Sequence, residues 1–286
     1  MKFTGKNFKI AAASIFLACL TASQCFAGAW TAEKGAMYHK LSTNHYSADE
    51  YFDDDSERTD YAHNGNFRDL NAGYYVEYGL LDNLTLNGSI SFKSLRFEND
   101  SIINKSSGFS DLELGAKYRI LETRGGAFSV QGLVKIPDTY DENDAVPMGN
   151  GQYDTEMRFL FGQSLSPVIP AYFNVETGYR FRAEEPADEI RYLLEFGMDF
   201  SANCYGRIKL DGIYGMNNED DEASISGNPT ASPNYDLGKL DMAVGYKMDK
   251  NAAIEFGCRP EIYGKNTSAG VNWSVSYVYM LNPDKK

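Results

Sequence analysis

Hydrophobic and polar residues alternate with a period of two along most of this chain. From 111 to 120, Leu112, Leu114, Ala116, Tyr118 and Ile120 fall on one face, and Asp111, Glu113, Lys117 and Arg119 on the other. At 171–182, Phe173, Val175, Tyr179 and Phe181 oppose Asn174, Glu176, Arg180 and Arg182. At 190–200, Ile190, Tyr192, Leu194, Phe196, Met198 and Phe200 oppose Arg191, Glu195 and Asp199. Successive side chains of a strand point to opposite sides, so each segment carries one apolar and one charged face. The pattern predicts twelve strands, over 36–46, 67–79, 83–96, 109–121, 126–137, 152–165, 171–183, 189–200, 205–216, 235–248, 252–263 and 270–281. Each is long enough for the roughly 9–11 residues a tilted strand needs to cross a bilayer.

The connections alternate in length. Short turns fall at 80–82, 122–125, 166–170, 201–203 and 249–251. Long connections fall at 47–66, 97–108, 138–151 and 217–234, with shorter ones at 184–188 and 264–269 on the same side. A soluble sandwich has no reason to sort its loops this way, whereas an outer-membrane barrel keeps short turns on one rim and long loops on the other. The fold class expected is all-β, a transmembrane antiparallel up-and-down barrel of about 12 strands. An even strand count returns both termini to the periplasmic rim. Tyr74, Tyr78, Tyr118, Tyr179, Tyr246, Trp273 and Tyr277 are candidates for aromatic girdles at the lipid–water interfaces.

Charge and leader refine this picture. Lys2, Lys6 and Lys9 precede an apolar stretch at 10–20 that is too short to span a bilayer, so 1–27 reads as a cleaved secretory signal and 28–286 as the barrel domain. Without the signal the chain keeps 24 cations against 40 acids, a net charge of −16. That excludes nucleic acid as a partner. Twenty acids and only Arg58, Lys105 and Lys265 lie in the connections on the long side. Two cysteines remain, Cys204 and Cys258; the reading favours free buried thiols over a disulfide.

The candidate chemistry is sparse. His45 and Ser47 stand two apart on the first strand, the spacing by which a barrel lipid hydrolase could activate a hydroxyl. No third orienting residue accompanies them. Asp53, Asp54 and Asp55, with Asp49, Glu50 and Glu57, form an acidic run without the spacing of a calcium loop, which reads as a solvated loop. No phosphate loop, dinucleotide fingerprint or Cys/His metal cluster is present, so neither cofactor nor metal is expected. The inward face is the richest candidate. Lys117, Arg119, Arg158, Glu176, Arg180, Arg182, Arg191, Glu195, Arg207, Lys209, Asp211 and Arg259 form the expected lumen lining and candidate solute path, and Lys93, Lys135, Lys239 and Lys247 are further inward cations. They read equally as cross-strand ion pairs holding the wall or as a polar conduit. Arg180, Arg182, Arg191 and Arg207, on three successive strands, would make a ladder of guanidinium groups for an anionic or aromatic solute.

Several segments resemble one family in order along the chain. Gly28-Ala29-Trp30-Thr31 with Glu33-Lys34-Gly35 resembles the start of outer-membrane proteins grouped as the MetA-pathway of phenol degradation family. So do 75–86, 108–119, 134–137 and 149–154. The chain departs at Asp138-Thr139, where a Thr-Gly is usual, and at its C-terminal end, where Tyr277 and Tyr279 precede a short tail instead of a terminal aromatic. The resemblance implies an outer-membrane barrel, associated in some members with uptake of aromatic or other hydrophobic compounds, and brings no catalytic residues.

The function expected is thus a non-enzymatic channel for passive uptake of small molecules. The rivals are a lipid hydrolase using His45 and Ser47, and a structural or adhesive barrel with acidic loops and a plugged lumen. The partners expected are outer-membrane lipid and lipopolysaccharide, the barrel-insertion machinery and a small-molecule solute, with the oligomeric state open.

Overall fold

The computed structural model describes residues 28–137, 140, 144, 146–183, 186–218 and 233–282. The expected signal segment lies outside these residues. Alternating sequence becomes continuous antiparallel sheet. The strands are β1 (Met37–Phe52), β2 (Arg58–Asp60), β3 (Asn66–Leu81), β4 (Leu84–Glu98), β5 (Ile103–Phe109), β6 (Leu112–Thr123) and β7 (Gly126–Ile136), followed by β8 (Asp154–Ser164), β9 (Ala171–Arg182), β10 (Glu189–Asp199), β11 (Cys204–Gly215), β12 (Asp236–Lys247), β13 (Ala252–Lys265) and β14 (Thr267–Leu281). Apart from β2, which pairs with β1, and β5, which pairs with β4, each strand pairs with the next in chain order, and β14 returns to pair with β1. Leaving aside the loop strands β2 and β5, this is a closed barrel of twelve strands with no free edge, which satisfies the backbone as a bilayer demands.

Register fixes which face each residue takes. Glu195 stands opposite Asn174 and Lys209, while Phe196 stands opposite Phe173 and Ile208. One row is charged and faces inward; the next is apolar and faces out. Leu114, Val175, Phe196, Val244, Phe256 and Val275 are each about half exposed on the outside, as lipid-facing side chains are in the absence of lipid. The seven girdle candidates all stand on outward rows. Tyr78, Tyr118, Tyr246 and Tyr277 cluster toward the short-turn rim, and Tyr179 marks the opposite end by donating to Asp188 at 2.8 Å.

The twelve expected strands are all present, with three differences. First, β1 runs on to Phe52, six residues beyond expectation, because its outer part pairs with Thr267–Ala269 of β14 and with β2. Second, the span expected at 109–121 is broken: β5 ends at Phe109 and β6 begins at Leu112. Third, β5 lies in a stretch expected to be loop, pairing with the outer half of β4 while β6 pairs with the inner half. Cys204 and Cys258 are free, but half-exposed on the lipid face rather than buried.

Two segments enter the barrel. At the short-turn end, residues 28–36 fold into the lumen. The Ala29 N–H donates to Asn174 Oδ1 at 3.1 Å, Ser129 Oγ donates to the Ala29 carbonyl, and Lys117 Nζ donates to the Gly28 carbonyl at 2.8 Å. Close approach explains two glycines. A Cβ on Gly79 would lie 2.0 Å from the Glu33 carbonyl oxygen, and one on Gly162 would lie 2.6 Å from the Trp30 ring. At the long-loop end, Val146 and Met148 of the β7–β8 connection are buried against Tyr46, Ala48, Tyr61, Phe67 and Leu95. The lumen is therefore narrowed from both ends.

Candidate functional site

All twelve expected lumen residues face inward, and nearly all are neutralised by a neighbour. Arg158 bridges Glu156 (2.5 Å) and Glu176 (2.9 Å). Arg180 bridges Glu156 (2.8 Å) and Glu113 (2.9 Å). Arg182 pairs with Glu189, and Arg191 lies between Glu189 and Glu156. Arg207 shares Glu255 with Lys40, Lys209 pairs with Glu195, Lys239 with Asp211, Lys117 with Glu77 and Arg119 with Glu122. The guanidinium ladder expected from Arg180, Arg182, Arg191 and Arg207 is thus a set of cross-strand braces. Register places a carboxylate within ion-pair reach of each, and paired charges inside a narrow lumen are stronger than on a surface.

The inner wall is uneven. The β6–β10 half carries this ion-pair lattice. The half made by β14, β1, β3 and β4 carries small neutral groups instead: Ser274, Ser276, Ser42, Asn44, Asn71, Gly73, Ser89 and Ser91. A polar chamber of about 390 Å³ lies against that half, at mid-height, bounded also by Lys40, Lys93, Asp111 and Glu113. Lys93 Nζ donates to the Met148 carbonyl of the outer segment at 3.4 Å and makes no ion pair among the described residues. Arg259, opposite Asn272 across β13 and β14, makes no ion pair or hydrogen bond among the described residues. Sequence reasoning placed both on the inner face but could not single them out, since pairing depends on register.

A larger concavity of about 830 Å³ lies on the other side of the wall. It is lined by outward Leu70, Phe196, Met242, Phe256 and Trp273. The inward residues behind it, Ala243, Gly257 and Ser274, are small. In a bilayer this surface faces acyl chains, so the lumen chamber is the candidate site.

His45 and Ser47 are not brought together for chemistry. Both lie on the outward row, opposite Trp273 and Val271. His45 has no polar partner among the described residues, and Ser47 Oγ accepts only a long bond from Asn66. The acidic run is an ordinary turn: Asp53 Oδ1 accepts from the N–H groups of Asp55 and Glu57. No cluster of His, Cys, Asp and Glu with metal-binding geometry occurs among the described residues. At the long-loop rim, burial pushes the Tyr61 hydroxyl up to about 12, where it bonds Ser268. Asp188 is held below its ordinary value: burial opposes this, but the Arg182 N–H, the Tyr179 hydroxyl and the Asn218 amide outweigh it.

Comparison with known proteins follows this geometry. The barrel is similar to the COG4313 outer membrane channel from Pseudomonas putida F1, with 14% identity, a TM-score of 0.71 and coverage of 89% of this chain and 98% of that one. It is similar also to the NanC porin (8% identity, TM-score 0.55, covering 85% and 100%) and to the KdgM porin (7%, 0.51, covering 85% and 99%). At such identities the likeness shows the fold: that of outer-membrane channels and porins. No curated protein matches the sequence. The family described as "Putative MetA-pathway of phenol degradation" matches over residues 78–277. That match takes in more than half of the sequence, with β4 to β13 complete inside it, and the chain belongs to this family of outer-membrane barrels.

Proposed function

We propose that the protein is a passive channel of the outer membrane, with long loops outside and both chain ends in the periplasm. The observation that carries this reading is the polar chamber at mid-barrel, bounded by a wall whose outer face is largely apolar. A wall of that kind is stable only in lipid, and a hydrated cavity inside it offers small solutes a route that the hydrocarbon does not. The chamber holds about a dozen water volumes, which sets the scale of solute to one ring or a short chain. Membrane lipid and lipopolysaccharide cover its outside, insertion machinery assembles it, and a small-molecule solute enters it. No bond-making chemistry is assigned, because His45 faces lipid without an acid behind it.

The two inward segments favour a second reading, a structural barrel with a stoppered lumen. Single-channel recording of the purified protein in a planar bilayer, with liposome swelling, separates the two. A small, steady conductance and slow uptake of single-ring solutes support the channel. Silence at every voltage, with no swelling, leaves the structural barrel.

A further inference from the structure

Among the described residues, Lys93 and Arg259 are the inward lysine and arginine of the wall that make no ion pair; the other inward ones each have a carboxylate partner. They flank a row of three amides. Lys93 stands opposite Asn71, and Asn71 opposite Asn44. Asn44 donates to Asn71 Oδ1 at 2.8 Å, and Asn272 donates to Asn44 Oδ1 at 3.4 Å. Asn272 in turn stands opposite Arg259. The row crosses β4, β3, β1, β14 and β13 near mid-height, an arc of about 19 Å at the usual strand spacing. Asp69, beside Asn71 on β3, lies within electrostatic reach of both cations, so their heads converge on one region of the lumen.

Asp69 faces both cations, and the other carboxylates in reach are engaged elsewhere: Asp111, on the Lys93 side, accepts from Tyr140, while on the Arg259 side Asp211 pairs with Lys239 and Glu261 accepts from Tyr46 and the Gly270 N–H. Lys93 and Arg259 thus have no carboxylate at ion-pair distance among the described residues, and an entering anion supplies one. The amides keep donors to spare: Asn71 spends one N–H on Asp69, Asn272 one on Asn44, and each amide has two. The serines along the chamber wall add neutral hydroxyls, and the chamber's own carboxylates, Asp111 and Glu113, are engaged with Tyr140 and Arg180. We propose that the row from Lys93 to Arg259 is a binding station for a small organic monoanion, a single-ring or short-chain carboxylate. Lys93 and Arg259 hold the carboxylate, Asn71 and Asn272 donate to it, and Asp69 between the two cations limits the charge the station accepts. This rests on the channel reading and names the solute class of its chamber.

The test is calorimetric titration of the folded, detergent-solubilised barrel with benzoate, and with benzyl alcohol as the neutral analogue. Wild type is expected to bind benzoate and not benzyl alcohol. Lys93→Gln with Arg259→Gln should weaken benzoate binding at least tenfold. Lys93→Arg with Arg259→Lys should restore it. Lys250→Gln, which removes one charge at an exposed turn, should leave it unchanged. Asp69→Asn should tighten binding, a gain that misfolding cannot produce. Benzoate binding equal in wild type and the double Gln variant, no binding to wild type, or equal binding of the alcohol each overturns the proposal. Binding without conductance keeps the station and removes the channel. Conductance with binding insensitive to both cations keeps the channel and removes the station.

Discussion

Arg180 of β9 meets Glu113 of β6 at 2.9 Å although β7 and β8 lie between them in the wall. The contact closes across the lumen instead of along the sheet. With Glu156 on the other side of the guanidinium, Arg180 ties three strands into one rigid quarter of the barrel.

Removing that guanidinium leaves two carboxylates without their shared partner. Arg180→Gln is expected to cost about 3–5 kcal/mol, the range for breaking one side of a buried pair. It should appear as a lower temperature for the gel-mobility shift that reports barrel opening. Ion selectivity should hardly move, because this charge is already neutralised. A large shift of reversal potential toward cations without loss of stability would show that Arg180 is free in the lumen.

The two faces of one strand should respond in opposite ways. Phe196→Arg puts a cation in hydrocarbon and is expected to cost roughly 2–4 kcal/mol near mid-bilayer. Glu195→Gln, one residue away, keeps the shape and frees Lys209, which has water at hand in the lumen. Folding yield in lipid vesicles checks both. Equal yields would put the register of β10 in error by one residue.

The segment 28–36 should control how much current passes. Trp30 packs edge-on against Tyr172, ring centroids 6.0 Å apart, above Gly162. Deleting residues 28–35 is expected to raise single-channel conductance. Gly162→Ala, which places a methyl group where the indole lies, should move conductance the same way by displacing the ring. Unchanged conductance in both would mean that solute does not pass this segment.

Acid should loosen the long-loop rim. Asp188 has a folded value below its unfolded one of about 3.9, so its contribution is complete above that pH and is lost as pH falls through the lowered value. Asp188→Asn should remove this contribution. Proteolysis of the β9–β10 loop, compared for the two proteins, should differ at pH 7 and converge as the pH falls through the lowered value of Asp188. A difference that persisted in acid would remove Asp188 as its cause.

The barrel was legible in the sequence because lipid and lumen impose opposite demands on successive residues, which writes the period of two into every strand. What was not legible lacks that pressure. β5 (Ile103–Phe109) is polar and small, and β2 is three residues long; both are held by backbone pairing to a neighbouring strand, which leaves no side-chain signature. The inward fold of residues 28–36 rests on hydrogen bonds to Asn174, Ser129 and Lys117, residues distant in sequence. Its one local trace is glycine at positions 79 and 162, where backbone and indole press close. Inward charges were readable at Arg180, Arg191 and Arg207, but their partners were not. A one-step change in register would hand each to another carboxylate. For the same reason Lys93 and Arg259 looked like every other lumen cation until their neighbours were known.

The pairing of β14 with β1 joins Asn272 to Asn44, 228 residues apart along the chain. This seam carries fourteen register pairs, and none of them can form until the last strand has arrived. Assembly is therefore all-or-nothing: every shorter intermediate exposes two unsatisfied edges, and in hydrocarbon each unpaired peptide group costs several kcal/mol. Selection on this protein acts on the closing step as much as on the solute path, and a polar substitution beside Trp273 or Val275 would do its damage in the cell before any solute was encountered.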